Sequence, residues 1–168
     1  MIAFSHSQGA GLTSDGGVWF TTNLRTWTQI PGVLSQLVVG DFNRDGRSEL
    51  AGLTSGGSMV FYTTDLQTWT HSLWARGPTL QLVVGDFNAD GKDDLGRLAT
   101  DGSVWFNTAL SGPWTGVSGK LSQLVSGNFS PARVGDELAG LGPDGSIWVA
   151  PYLATCTNVP GTLSELLE

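Results

Sequence analysis

A chain that repeats itself, a composition rich in glycine and poor in charge, and apolar runs too short for helices together predict an all-β fold, a β-propeller of about four four-stranded blades. The repeat weighs most, because a period of roughly 20 to 50 residues marks units that bury a core only against their neighbours. Leu34–Leu53 reads LSQLVVGDFNRDGRSELAGL and returns as TLQLVVGDFNADGKDDLGRL over Thr79–Leu98, then as LSQLVSGNFSPARVGDELAGL over Leu121–Leu141. A second unit occurs four times: GLTSDGGVWF ending at Phe20, GLTSGGSMVF at Phe61, RLATDGSVWF at Phe106 and GLGPDGSIWV at Val149. With 24 glycines and 14% charged residues, the composition disfavours long exposed helices and suits short strands joined by tight turns.

Within each repeat the strands follow in order. LVVG is an apolar run fit for a buried inner strand, and AGL begins a second. The DG and GG dipeptides make a tight hairpin, and VWFTT alternates as a third strand. A weaker fourth surrounds the Trp-Thr pair. Counting from the leucine of each second unit, one slot holds Trp19, Val60, Trp105 and Trp148, and a later one holds Trp27, Trp69, Trp114 and Cys156. The repeated Trp19, Trp105 and Trp148 read as packing between blades, not as a series of sugar platforms.

The chain ends extend the pattern. Leu163-Ser-Glu-Leu166 matches the opening of the inner strand at Leu34-Ser-Gln-Leu37, and Met1–Phe4 is expected to match its end, with Phe4 in the place of Phe42. Pairing of residues 163–168 with 1–4 would close a ring and leave no open sheet edge. A monomer closed this way is the favoured expectation, with one propeller domain over residues 1–168. The alternatives are two chains completing a larger ring as a homodimer, or a fragment of a larger propeller.

Composition also bounds function. Eight basic against fifteen acidic residues give a net charge of -7, which lacks the basic footprint of a nucleic-acid binder. No apolar stretch approaches the length of a membrane span, and Met1–Phe4 lacks the pattern of a secretory signal. Cys156 is the single cysteine, so neither an internal disulfide nor a cysteine-held zinc is expected.

The connection after each inner strand carries the chemistry. It reads Asp41-Phe-Asn43-Arg-Asp45-Gly46-Arg47-Ser-Glu49 in one copy and Asp86-Phe-Asn88-Ala-Asp90-Gly91-Lys92-Asp-Asp94 in the next. Side-chain oxygens alternate along both loops, backbone carbonyls are available at Arg47 and Lys92, and glycine permits the sharp turn. A hard cation that takes about six to eight oxygens fits such a loop, and calcium fits better than magnesium, which keeps more water. Aspartate, asparagine and glycine also form bare turns. Two loops with the same donors at the same spacing, each crowding carboxylates, favour two calcium sites. Glu49 and Asp94 would close them in place of the distal glutamate of an EF-hand. The third loop, Asn128 to Glu137, is longer and has lost the first donors, and Arg133 is expected to supply the positive charge there; the region of Phe4 to Gly9 has none of them.

GDFNRDG and GDFNADG, followed by EL or DL and then by AGL or GRL, resemble the FG-GAP or VCBS-type repeat of integrin α-chain-like propellers, over nearly the whole chain. The resemblance implies calcium held by Asp41, Asn43, Asp45, Arg47 and Glu49, and by Asp86, Asn88, Asp90, Lys92 and Asp94. It also implies an extracellular or surface setting and a role in adhesion or ligand binding, as in related sugar-binding propellers.

No nucleophile with a base stands out, and His6 and His71 occupy unrelated repeat positions. The expectation is a noncatalytic recognition module with a carbohydrate or a protein as ligand, the alternative being an assembly scaffold. A local insertion carrying His71, Trp74 and Arg76 is the candidate ligand contact, because a tryptophan beside an arginine can stack on a sugar ring or anchor a partner.

Overall fold

The computed structural model describes residues 8–72, 77–130, 134–151 and 156–166, and the backbone of 2–5. Its strands fall into four blades. Blade 1 holds β1 (Ile2–Ser5), β2 (Gln8–Leu12), β3 (Gly17–Thr21) and β4 (Thr28–Val33). Blade 2 holds β5 (Gln36–Gly40), β6 (Glu49–Leu53), β7 (Val60–Thr63) and β8 (Thr70–His71). Blade 3 holds β9 (Thr79–Gly85), β10 (Asp94–Ala99), β11 (Val104–Asn107) and β12 (Thr115–Val117). Blade 4 holds β13 (Gln123–Gly127), β14 (Glu137–Leu141), β15 (Ser146–Ala150) and β16 (Thr157–Thr162). Each blade is an antiparallel meander with strands in chain order. The inner strands lie side by side, β1 against β5, β5 against β9 and β9 against β13.

The core lies between blades. Ala10, Val18 and Ile30 of blade 1 meet Leu34, Leu37 and Leu50 of blade 2. Phe42, Ala51 and Val60 of blade 2 meet Leu82, Leu95 and Trp114 of blade 3. Val83, Leu98 and Val104 of blade 3 meet Leu121, Leu124 and Leu138 of blade 4. The second strands of blades 2, 3 and 4 are buried along their whole length, as the covered centre of a blade requires.

A glutamine near the start of the inner strand in blades 2, 3 and 4 ties these layers with two hydrogen bonds. Gln36 accepts from the Leu82 N–H at 2.9 Å and donates to its carbonyl at 3.2 Å. Gln81 holds Leu124 in the same way, and Gln123 holds Leu166. Leu166 therefore takes the position that Leu82 and Leu124 take in successive inner strands. The Leu163 N–H donates to the Gly145 carbonyl, as Leu34 does to Gly16 and Leu121 to Gly102. Residues 163–166 thus carry the opening of an inner strand, as their sequence leads one to expect.

Register corrects two alignments made from sequence. Phe4 pairs with Gly9, and the blade 2 residue in that place is Val39, which pairs with Leu50; Phe4 is thus not the counterpart of Phe42. In blade 2 the aromatic slot of the third strand belongs to Phe61, opposite Gly52, as Trp19 lies opposite Gly11. Val60 is instead the counterpart of Val18. The physical reason is one extra residue in the blade 2 turn, where a 3-10 turn over Ser55–Gly57 contains Gly56 and Gly57, both at positive φ.

Candidate metal centre

The two acidic loops join first to second strands at one end of the fold, β5 to β6 and β9 to β10. Both fold alike because the same side chains cap the same backbone groups. Asp41 Oδ1 accepts the N–H of Arg44 at 2.7 Å and of Asp45 at 3.1 Å, and Oδ2 that of Gly46 at 2.8 Å. Asp86 accepts from Asp90 and Gly91 in the second loop. Asp45 and Asp90 accept from Arg47 and Lys92, each at 2.8 Å. Two left-handed residues make the curl in each loop: Arg44 and Gly46 in one, Ala89 and Gly91 in the other.

This curl brings Asp41, Asp45 and Glu49 together, with one oxygen of each within 4.8 Å of the others. Among the described residues this is the one three-carboxylate grouping of that kind; in the second loop Asp94 is one methylene shorter than Glu49. Glu49 and Asp94 are buried and accept the N–H of Phe42 and Phe87, both at 3.0 Å. Burial, followed by the negative charge of loop aspartates, raises both carboxyls to about 7 against the inward hydrogen bonds. The Asn43 amide nitrogen donates to Glu49 Oε1 at 3.0 Å and Asp45 Oδ2 at 3.3 Å, placing a partial positive charge between two carboxylates. Asn88 does the same for Asp90 at 3.1 Å.

The donor set fits a hard cation. A carboxylate oxygen that accepts one backbone N–H retains lone-pair capacity for a metal. Asp41, Asp45 and Glu49, with the Asn43 side chain and the Arg47 carbonyl, would surround an ion, as would Asp86, Asn88, Asp90, Lys92 and Asp94. The ion would supply the positive charge that Asn43 and Asn88 supply only in part.

Asp93 and Asp136 carry a relationship that the sequence reading missed. The Asp93 carboxylate accepts the Asp41 N–H at 2.7 Å, while the Asp93 N–H donates to the Asp41 carbonyl at 2.9 Å. Asp136 grips Asp86 in the same manner, at 3.0 and 2.8 Å. Burial and neighbouring aspartates raise the Asp93 pKa. Each loop is therefore locked to the next blade through its first ligand residue. The signal in the sequence was an acid beside the last ligand, Asp93 before Asp94 and Asp136 before Glu137.

The third loop follows its lost donors. Glu137 is buried and accepts the N–H of Phe129 at 2.7 Å, so its capping role survives without the first aspartates. Arg133 lies outside the described residues. So do Trp74 and Arg76 of the candidate ligand contact, and His6. His71 is exposed on β8, its ring 5.2 Å from that of Phe61.

Two of the three tryptophans of the fourth-strand slot bridge blades: Trp69 Nε1 donates to the Pro31 carbonyl at 2.8 Å and Trp114 Nε1 to Ser72 Oγ at 3.3 Å. Beside the third-strand slot lie open clefts. Trp19 and Trp27 border one of about 310 Å³, Phe61 and Trp69 one of about 200 Å³, and Trp148 and Cys156 one of about 260 Å³.

No protein-family model and no curated protein matches the chain. Among solved structures it resembles YCF48 from Cyanidioschyzon merolae, a β-propeller, with a TM-score of 0.63 at 13% identity over 95% of this chain. The chain spans 58% of the length of that protein. The likeness shows the fold: this is a β-propeller of four four-stranded blades.

Proposed function

We propose that the chain is a noncatalytic recognition module whose blades are locked by calcium and whose ligand is a carbohydrate. One observation carries the reading: two loops repeat the same oxygen-rich curl, one gathering three carboxylates, and each is fastened to the following blade through Asp41 or Asp86. Such crowding is stable at neutral pH when a cation compensates it. The resemblance to FG-GAP and VCBS-type repeats supports calcium and an extracellular setting. The aromatic clefts of blades 2 and 4 favour a sugar, because an aromatic face stacks on the apolar face of a pyranose while flanking hydroxyl and carbonyl groups orient it.

The second reading is a scaffold that presents its faces to a protein partner, favoured by exposed apolar side chains such as Val33, Leu80 and Val134. A glycan array run in calcium, with Trp69→Ala and Trp74→Ala as controls, separates the two. Saturable binding lost in either variant supports the lectin reading, and silence across neutral and acidic sugars transfers the role to a protein ligand.

A further inference from the structure

Blade 3 differs from its neighbours at one buried position. Gly11, Gly52 and Gly140 lie opposite Trp19, Phe61 and Trp148 in blades 1, 2 and 4, while blade 3 has Arg97 opposite Trp105. The Arg97 guanidinium carbon lies 5.8 Å from the Trp105 ring centroid and 5.4 Å from that of Trp114. The side chain is fully buried, which lowers its pKa against the opposing charge of Asp101 in the turn before Trp105; the Asp101 carboxylate is itself paired with Lys120 at 2.8 Å. Blade 3 therefore holds a guanidinium between its two repeated aromatic positions, with an acid nearby.

Blade 1 repeats this frame without the arginine. Trp19 and Trp27 stand where Trp105 and Trp114 stand, and they border the cleft of about 310 Å³ lined also by Gly11 and Thr13. Asp15 takes the place of Asp101 in the turn and accepts a hydrogen bond from Thr13 Oγ1, whose residue lines the cleft. Trp27 is 40% exposed and Asp15 is fully exposed to solvent, leaving both open to a ligand. Gly17 replaces the serine that accepts the indole N–H in blades 3 and 4, Ser103 and Ser146. The chain as a whole carries -7.

We infer that the Trp19–Trp27 cleft of blade 1 binds a guanidinium group, in the form of an arginine side chain on a partner protein, and that Arg97 is the same interaction made within the chain. This rests on the reading of the protein as a recognition module and adds a ligand class for a cleft of its own. A cation over two indole faces gains electrostatic attraction from both rings, and the Asp15 carboxylate held by Thr13 adds to it.

The test is an NMR titration of the intact, calcium-loaded chain, following the indole N–H signals of Trp19 and Trp27. The probes are Nα-acetyl-arginine amide, its neutral isostere Nα-acetyl-citrulline amide, and a panel of methyl glycosides. Arginine is expected to saturate both signals about tenfold more tightly than citrulline. Trp27→Ala should abolish saturation, Asp15→Asn should weaken it about threefold, and Gly11→Arg should fill the cleft and block it. Trp27 and Asp15 lie at the surface, so those two variants decide the matter even if Gly11→Arg fails to fold. Equal response to arginine and citrulline, no saturable response, or binding unchanged in Trp27→Ala overturns the inference. Glycosides that saturate these indoles while arginine does not would overturn the cation and leave the recognition module standing.

Discussion

Arg97 Nη1 donates to Thr79 Oγ1 at 2.9 Å, and the two residues depart together from their counterparts in the neighbouring blades. In blades 2 and 4 the pair is Gly52 with Leu34 and Gly140 with Leu121. A Cβ on Gly52 would come within 2.5 Å of Leu34 Cδ1, and one on Gly140 within 2.4 Å of Leu121 Cδ1. The leucine methyls fill the space over the glycine. In blade 3 the smaller threonine leaves room for the arginine and supplies it with an acceptor.

Each single change in this pair should therefore be costly. Thr79→Leu should destabilise by about 2–4 kcal/mol, through overpacking against Arg97 and loss of its hydrogen bond. Arg97→Gly should cost a similar amount, about 2–4 kcal/mol, by opening a cavity between Trp105 and Trp114. The double variant recreates the leucine–glycine pair and should recover at least about 1 kcal/mol relative to the sum. Urea denaturation of the four proteins measures this, and strict additivity would mean that the two positions are not matched.

Glu49 and Asp94 give the metal-free protein a definite pH dependence. Both have folded pKa values of about 7, above the ordinary 4.5 and 3.8, so the folded state holds their protons more tightly than the unfolded state. Their contribution to stability is then most favourable below the unfolded values and falls as pH rises from about 4 to about 7, where the penalty of two buried charges is complete. In EDTA, thermal stability should decline over this window, and saturating calcium should flatten the decline. A metal-free protein equally stable at pH 5 and pH 7.5 would contradict the assignment.

Glu49→Gln separates charge from shape. In EDTA at pH 8 it removes a buried carboxylate from beside Asp41 and Asp45, so the melting temperature should stay level or rise. Calcium should then raise it far less than it raises the parent, because one ligand charge is gone. Differential scanning calorimetry with and without calcium reads both effects.

The glutamine ties should be sensitive to a single atom. Gln81 both accepts from and donates to Leu124, at 3.2 and 2.8 Å, and Gln81→Glu keeps the acceptor while setting an oxygen against the Leu124 carbonyl. The loss should be about 2 kcal/mol at neutral pH. It should shrink on acidification, when the glutamate regains a proton to donate, whereas the loss in Gln81→Ala should not. Parallel pH profiles for the two variants would argue against the two-bond tie.

Much of the fold was legible because each strand is short and each turn carries glycine at the same place. Gly102 shows why: at φ 81° its Cβ position lies 3.0 Å from the Leu121 carbonyl oxygen of the next blade, so the turn and the incoming chain require the same residue. Where a turn gained a residue, at Ser55–Gly57, counting along the sequence placed Val60 in a slot that belongs to Phe61. The alternating oxygens of the two loops were legible for the same local reason. The Asp93 and Asp136 locks and the glutamine ties were not, since each joins residues more than 40 positions apart and only the packing of successive blades brings them together. Arg97 departs from the glycine of the other blades, and its meaning depends on Thr79, a second departure in a different strand.

Calcium titration by isothermal calorimetry on chelator-stripped protein, paired with the melting temperature at each calcium level, is the most direct measurement. Two sites per chain are expected, with about 2.7 kcal/mol of added stability for each site once free calcium reaches 100 times its dissociation constant. No heat of binding and a melting temperature indifferent to calcium would contradict the account.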